Sequence, residues 1–205
     1  MIVIINSAKT QKYAPLDGLP VSQPPLLERA RDLVSRCQRM NRQEIRTLMK
    51  VSEKIAETTF SRFQEFNMPH HGTTASPVLS TFAGDIFSEI GYRSYTREEL
   101  LYAHERVRIL SGLYGILRPL DLMQPYRLEM GTKLKTPKGK DLYEFWDLKI
   151  TEAVDAAVKA SGSDYLINLA SNEYFTSIKK GALESKVITP NFKDLKNGTY
   201  KIVSF

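Results

Sequence analysis

Cysteine is almost absent from this sequence, because Cys37 is the only one among 205 residues. A single thiol cannot form a disulfide within the chain, so a reducing cytoplasm is the expected compartment. Long apolar runs are also missing. The N-terminal stretch MIVIINSAKT holds an apolar run of about five residues, whereas a transmembrane helix needs roughly 20. This stretch also lacks the basic start and the cleavage site of a signal peptide. We therefore expect a cytoplasmic protein with no membrane partner.

Histidine is scarce, with three residues, and none of them stands at a spacing typical of a metal site. His70 and His71 are adjacent in a predicted loop, and His104 and Cys37 are distant from them in sequence. Walker, G-x-S-x-G and G-x-G-x-x-G motifs are missing as well. The sequence thus predicts neither a bound metal nor a cofactor. Cys37 falls on the apolar face of a predicted helix, where an inert core thiol is expected.

Positive charge is what the chain has in excess. It contains 29 Lys and Arg against 23 Asp and Glu, which gives a net charge of +6. Such a balance favours phosphate-bearing partners such as nucleic acids or nucleotides. A basic surface without a dedicated partner explains the same numbers, so the charge alone leaves both interpretations open.

Strand and helix patterns alternate along the first half of the chain. Residues Ile2 to Ile5 form a β-branched run that predicts a buried strand. Helical spacing extends from Leu26 to Met40. Asn41 and Glu44 then predict a capping box for a second helix, whose inner face continues to Ala56. The short join between these two helices predicts a hairpin similar to a helix–turn–helix.

The second half continues the mixture. Thr96 and Glu99 predict a capped helix through Leu110, and apolar spacing from Leu142 to Ala157 predicts one long amphipathic helix. DYLINLA is typical of a buried strand. KNG, at Lys196 to Gly198, predicts a hairpin turn between the strands KVITPNF and TYKIVSF. We therefore expect the α/β class, specifically a mixed α+β fold. A single domain would have a mixed sheet surrounded by helices and by a helix-hairpin-helix-like element.

Two groups of arginines and lysines are candidates for contact with DNA phosphates. One group surrounds the predicted helical hairpin, where a solvated helix face is the alternative explanation. The other lies in SGLYGILRPLDLMQPYRLEMG (Ser111 to Gly131), whose glycines and prolines set bends that support two guanidinium groups. A core-wrapping loop whose arginines pair with Asp121 and Glu129 is the alternative there. The candidate phosphate contacts are Lys9, Arg39, Arg42, Arg46, Lys50, Arg118 and Arg127.

A polar cluster, NLASNEYF, follows the predicted strand DYLINLA, at the strand end where open α/β sheets bind ligands. Glu173 or Tyr174 would serve as the catalytic group of an enzyme, and Asn168 and Asn172 would read a base or a sugar. A helix cap and turn explain the same residues. The candidate ligand pocket comprises Thr10, Asn168, Ser171, Asn172 and Glu173, with Lys9 at a phosphate.

Four stretches of the chain resemble the bacterial YaaA family, also called the peroxide stress resistance family. They are SGLYGILRPLDLMQPYRLEMG, GKDLYEFW (Gly139 to Trp146), INLASNEYF (Ile167 to Phe175) and LMKVSEKIA (Leu48 to Ala56). The likeness covers essentially the whole chain, so we expect one YaaA-type domain over residues 1–205.

The chain departs from the family pattern in two places. Its first loop reads Asn-Ser-Ala-Lys-Thr where the family has Ser-Pro-Ala-Lys-Thr, so the proline is lost while Lys9 and Thr10 remain. Family members also continue with a basic segment beyond the position of Phe205, which here falls inside a predicted strand. We therefore expect the natural protein to extend past this residue.

The resemblance implies a cytoplasmic protein that protects against hydrogen peroxide and is associated with lowering free iron, which limits oxidative DNA damage. The family is similar to DNA-binding proteins with a helix-hairpin-helix and a positive cleft. We expect binding to double-stranded or branched DNA with little sequence specificity, rather than catalysis. The alternative is an enzyme acting on a nucleotide or modified base in the strand-end pocket, with Arg118 as an added ligand contact. A third hypothesis, direct iron binding, requires carboxylates or His70 and His71 to converge. The sequence predicts no oligomeric state.

Overall fold

The computed structural model describes residues 1–16, 18–196 and 198–202. Its strands are β1 (Ile2–Asn6), β2 (Thr10–Gln11), β3 (Ser76–Pro77), β4 (Phe82–Ala83), β5 (Val107–Ser111), β6 (Gly115–Leu117), β7 (Leu122–Met123), β8 (Tyr165–Asn168), β9 (Lys186–Ile188), β10 (Lys193–Lys196) and β11 (Thr199–Ile202). Its α-helices are α1 (Leu27–Gln38), α2 (Arg42–Met49), α3 (Glu53–Gln64), α4 (Val78–Thr81), α5 (Asp85–Ile90), α6 (Arg97–Arg106), α7 (Leu142–Trp146), α8 (Lys149–Ala160) and α9 (Asn172–Phe175). The predicted mixture of helices and strands is confirmed.

A five-stranded sheet in the order β6-β5-β1-β8-β9 forms the centre of the fold. Strands β5, β1, β8 and β9 are parallel, and β6 alone runs antiparallel, as the partner of β5. Ile2 and Ile4 in β1 are fully buried, as expected for an apolar strand covered on both faces. The parallel arrangement brings the carboxyl ends of β1, β5 and β8 to one edge, which we call the strand-end edge.

One central strand lies where the sequence predicted a helix. The helix that begins after Thr96 was expected to run through Leu110, but α6 ends at Arg106 and the next residues form β5. Val107 lies opposite Val3, and Leu110 opposite Asn6. A short apolar run is compatible with the repeat of a helix and with that of a strand, so pairing with β1 determines that these residues form a strand.

Two predicted helices are each divided in two. The capping box of Asn41 and Glu44 is confirmed, but the helix that it starts ends at Met49 because Lys50 takes a left-handed conformation (φ 51°, ψ 49°). Ser52 then caps α3, which packs against both α2 and α1. The helical hairpin is therefore formed by α2 and α3 rather than by α1 and α2. Asp147, with φ 47°, similarly separates α7 from α8.

The C-terminal strands are shorter than the sequence predicted. Only Lys186–Ile188 of KVITPNF is a strand, and it extends the central sheet beside β8. The hairpin is instead made by β10 and β11, with Lys196 opposite Thr199. Asn197, in the predicted KNG turn, and residues 203–205, at the end of TYKIVSF, lie outside the described residues.

The segment from Ser111 to Gly131 wraps through the core. Tyr114 and Leu117 are fully buried, and they belong to the continuous apolar cluster that extends from Ile2 to Ile178. An ideal Cβ on Gly112 would lie 2.2 Å from the carbonyl oxygen of Leu128, so only glycine allows this backbone approach. The core-wrapping interpretation of this segment is confirmed.

We predict that Gly112→Ala destabilises the protein severely, by about 3 kcal/mol or more, because the new methyl group would displace backbone rather than a mobile side chain. Gly72→Ala is the matched control, since no atom lies within 4 Å of its ideal Cβ. Urea unfolding followed by circular dichroism measures both. Equal midpoints for the two variants would contradict this account of the close approach.

Candidate nucleic-acid interface and strand-end site

The hairpin of α2 and α3 presents basic side chains around its turn. Arg46, Lys50 and Lys54 are exposed, and none has a carboxylate within 4.0 Å in the described part of the chain. Arg42 differs, because it forms an ion pair with Glu57 on α3 and its guanidinium carbon lies 4.9 Å from the centre of the Phe60 ring. The three cations at the turn are therefore unpaired among the described residues, although Glu53 lies beside them, whereas Arg42 is paired.

Arg39 lies at the end of α1 beside a loop that is itself basic. Together with Arg36 and Lys138 it lines a cavity of about 290 Å³. Arg36 Nε donates to the Lys135 carbonyl at 3.3 Å, and Lys138 Nζ lies 2.6 Å from an oxygen of Asp32. Arg39 was a predicted phosphate contact, whereas Arg36 and Lys138, which line the same cavity, were not.

The polar residues predicted to follow β8 do gather at the strand-end edge. Asn6 Oδ1 accepts from the Ser171 amide at 3.0 Å, and Ser7 Oγ donates to Tyr174 Oη at 3.1 Å. Asn168 accepts from the Ala170 amide at 3.0 Å. The first two contacts connect the end of β1 to the turn after β8, and the third lies within that turn, so all three stabilise it.

Glu173 joins the turn after β8 to the end of the Ser111–Gly131 segment. Its Oε1 accepts from the Gly131 amide at 2.9 Å, and its carbonyl accepts from Tyr143 Oη at 3.0 Å. Burial raises the pKa of Tyr174 to about 12, with a smaller increase from the charge of Glu173. The phenol therefore stays protonated near neutral pH and cannot serve as a general base there.

Asn172 and Thr10 occupy ordinary positions in secondary structure. Asn172 is the exposed first residue of α9, and its carbonyl accepts from Thr176 Oγ1 at 2.6 Å. Thr10 is exposed in β2, opposite Ala83 of β4. Their roles in a ligand pocket stay predictions.

Two cations flank one carboxylate at the strand-end edge. Glu129 lies 2.7 Å from Arg127 and 3.6 Å from Lys9. We call Lys9, Arg127 and Glu129 the strand-end basic cluster. Burial and the positive charge of Arg127 both lower the pKa of Arg62 on α3.

Arg118 lies at the opposite end of the sheet from this cluster, because β6 runs antiparallel to β5. Its guanidinium contacts Asp121 Oδ1 at 2.9 and 3.1 Å. Asp121 is fully buried and also accepts from Ser22 Oγ at 2.6 Å. Arg118 is thus held by a buried carboxylate, and the fold does not bring it to the strand-end pocket.

The two adjacent histidines do not converge. His70 is buried, with Nε2 2.9 Å from Tyr114 Oη and Nδ1 2.9 Å from Gln124 Nε2, whereas His71 is exposed. Across residues 1–16, 18–196 and 198–202, no group of three His, Cys, Asp or Glu side chains is placed to hold a metal ion. Cys37 is buried in the core, and this burial raises the pKa of its thiol to about 12.

None of the helices in the described ranges is both long and apolar enough to span a bilayer.

A family model described as "Peroxide stress protein YaaA" matches residues 1–205. The chain belongs to this family. It is 47% identical over 206 residues to a UPF0246 protein of Idiomarina loihiensis, and the match covers 100% of this chain and 80% of the relative. A UPF0246 protein of Alteromonas mediterranea is 46% identical over 208 residues, and one of Aliivibrio fischeri is 45% identical over 206, with the same coverage. The family resemblance expected from the four quoted stretches is therefore confirmed.

The buried His70 makes stability depend on pH. Burial lowers its pKa from 6.5 to about 4, so the unfolded chain takes up a proton first as the pH falls. Above pH 6.5 the neutral His70 costs the folded state nothing. Between pH 6.5 and about pH 4 the free energy of unfolding falls, by at most about 3 kcal/mol in total. His70→Gln should flatten the pH dependence of the unfolding free energy, whereas His71→Gln should preserve it. Identical slopes for both variants would refute this assignment.

Proposed function

We propose that this protein is a cytoplasmic DNA-binding protein that acts in peroxide defence. The observation that carries the proposal is the turn between α2 and α3, where Arg46, Lys50 and Lys54 are exposed and form no ion pair with the described residues, although Glu53 also lies at the start of α3. Family membership supports the peroxide role. The basic turn supports contact with phosphates, which provides most of the affinity in non-specific DNA binding.

The backbone of the same turn is suited to an anion. Ser52 Oγ accepts from the Ile55 amide at 3.4 Å. The amides of Glu53 and Lys54, in the first turn of α3, have no partner within the helix, as at every helix start. Because α3 has 12 residues, its dipole adds a partial positive charge at this end. A DNA phosphate at the turn would therefore meet both N–H donors and lysine ammonium groups.

Further basic residues lie near the other end of α3. Gln38 Nε2 donates to the Phe63 carbonyl at 2.9 Å, and Gln64 Nε2 donates to the Gln38 carbonyl at 2.9 Å. These bonds place the end of α1, with Arg39, next to the end of α3, with Arg62. We propose that the DNA backbone follows this surface from the hairpin turn to the strand-end basic cluster, with little dependence on sequence.

Limiting iron-dependent damage fits the same surface. Phosphates along DNA hold a condensed layer of cations, and a protein that neutralises those phosphates displaces it. Ferrous iron associated with DNA phosphates would be displaced in the same way. This protein would then reduce oxidation at the DNA without itself coordinating iron.

An enzyme at the strand-end edge has less support. Glu173 is bonded to the Gly131 amide, and Asn168 is bonded to the Ala170 amide and to Thr189 Oγ1. Glu173 Oε1 and both polar atoms of the Asn168 side chain thus already have partners within the fold. We therefore favour binding over catalysis at this edge.

Fluorescence anisotropy with labelled duplex and branched DNA, over a series of salt concentrations, tests the proposal. We expect affinity to fall steeply with salt, and Lys50→Gln with Lys54→Gln to weaken binding about tenfold and to lower the salt slope by about 1 to 2. The double variant Lys149→Gln with Lys159→Gln, on α8, is matched in charge and should bind normally. Absence of binding at low salt by the folded protein would refute the DNA role.

A further inference from the structure

The cavity beside Arg39 lies between α1 and the turn of residues 136–139, and we call it the α1 cavity. It measures about 290 Å³. Small-molecule sites in proteins enclose about 300–1,000 Å³, so this space suits a small ligand or one end of a larger one. The side chains that matter for its chemistry are Ser35, Arg36, Arg39, Thr136, Lys138 and the buried Phe145 of α7.

The turn that closes the α1 cavity has a fixed backbone. The Thr136 amide donates to the Gly139 carbonyl at 2.9 Å, and the Gly139 amide donates to the Thr136 carbonyl at 3.3 Å. An ideal Cβ on Gly139 would lie 2.5 Å from Glu144 Cβ and 2.8 Å from the Phe145 amide nitrogen, so the turn packs directly against α7. The cavity is therefore formed by the fold itself, which reduces the cost of ordering it around a ligand.

Positive charge exceeds negative charge in this lining. Three cations line the cavity, namely Arg36, Arg39 and Lys138. The acid of the lining is Asp32, which has an oxygen 2.6 Å from Lys138 Nζ. Arg36 Nε donates to an uncharged acceptor, the Lys135 carbonyl, at 3.3 Å. Arg39 forms no ion pair with any residue in the described ranges. Three cations against one carboxylate leave two positive charges unbalanced.

The groups around the cavity do not neutralise this excess. Glu144 pairs with Lys140 at 2.7 Å, and Asp141 accepts from the Glu144 amide at 2.9 Å as the cap of α7. The dipole of α1 adds about half a negative elementary charge at its C-terminal end, which offsets less than one cation. Lys133 and Lys135, on the loop before the turn, are exposed and add positive charge. An anion that enters the cavity would therefore be attracted.

We propose that the α1 cavity binds a phosphate monoester. Such a group carries about −1.5 to −2 charges at pH 7, which matches the two unbalanced positive charges better than a carboxylate does. Arg36 and Arg39 would donate N–H groups to its oxygens, and Lys138 would add a point charge. The monoester belongs either to a phosphorylated DNA end or to a small phosphate compound. Only the first source rests on the proposed function.

Thermal unfolding in inorganic phosphate, compared with chloride at equal pH and ionic strength, tests the site. Phosphate stabilises proteins in general because it is excluded from their surfaces, and a specific site adds stability by mass action. Arg36→Gln should bind phosphate about tenfold more weakly and lose most of the specific gain. Arg31→Gln, which removes an exposed arginine of α1 that pairs with Glu28, is the matched control and should keep the wild-type response.

Asp32→Asn tests the same site in the opposite direction, with all three cations kept. Because the acid of the lining is removed, phosphate should bind about three- to tenfold more tightly and raise Tm by more than in the wild type. Glu28→Gln removes one acid of the same helix outside the lining and should leave the phosphate response unchanged. This pair of variants tests the site independently of whether Arg36→Gln folds.

Two results would overturn the site. One is a phosphate response of Arg36→Gln equal to that of Arg31→Gln, including the general response alone in both. The other is a response of Asp32→Asn that is no larger than that of Glu28→Gln.

Labelled duplex DNA with a 5′-phosphate or a 5′-hydroxyl end identifies the source of the phosphate. If the wild type prefers the phosphorylated end about tenfold and Arg36→Gln loses this preference, the site holds a DNA end. If both duplexes bind equally while the response to inorganic phosphate depends on Arg36, the site holds a small phosphate compound. A wild type that responds to phosphate but binds neither duplex would refute the proposed function and leave this site standing.

Discussion

The close approach of Gly112 to the backbone of Leu128 is the constraint on which the rest of the structure depends. It folds the Ser111–Gly131 segment back across β5, and Trp146 completes the contact by donating from Nε1 to the Gly112 carbonyl at 3.0 Å. Because the middle of this segment is buried, the two arginines that it carries have fixed positions. Its apolar character, its bends and its positive charge thus belong to one arrangement, in which a buried anchor fixes two partly exposed, ion-paired guanidinium groups.

Local signals in the sequence predicted local structure well. The capping boxes at Asn41 and Thr96 are confirmed, because each depends on hydrogen bonds within four residues. The ends of helices were harder to predict. Lys50 and Asp147 stop helices by adopting positive φ without being glycine, so composition gives no warning of either break. Strand β5 was missed for another reason: its apolar run becomes a strand only through pairing with β1, a contact across about a hundred residues of sequence.

The types of residue at the candidate site could be predicted from the sequence, but the residues that they contact in the fold could not. Arg118 and Arg127 are nine positions apart, yet antiparallel β6 leaves the first at one end of the sheet while the segment carries the second to the other. Glu173 was a candidate acid or base, and its carboxylate instead accepts from Gly131, a residue distant in sequence. Such pairings depend on tertiary contacts, which periodicity and spacing do not encode.

The two arginines of the Ser111–Gly131 segment show how structural and binding roles can be separated. Arg118 contacts a fully buried carboxylate that also receives the Arg118 amide at 2.8 Å and the Ser22 hydroxyl. That group is satisfied within the fold, and removing the charge of Arg118 would leave Asp121 buried without its ion-pair partner. Arg127 instead shares one carboxylate with Lys9, and its buried Nε has no hydrogen-bond partner among the described residues. Arg127 is therefore less completely satisfied within the fold than Arg118 is.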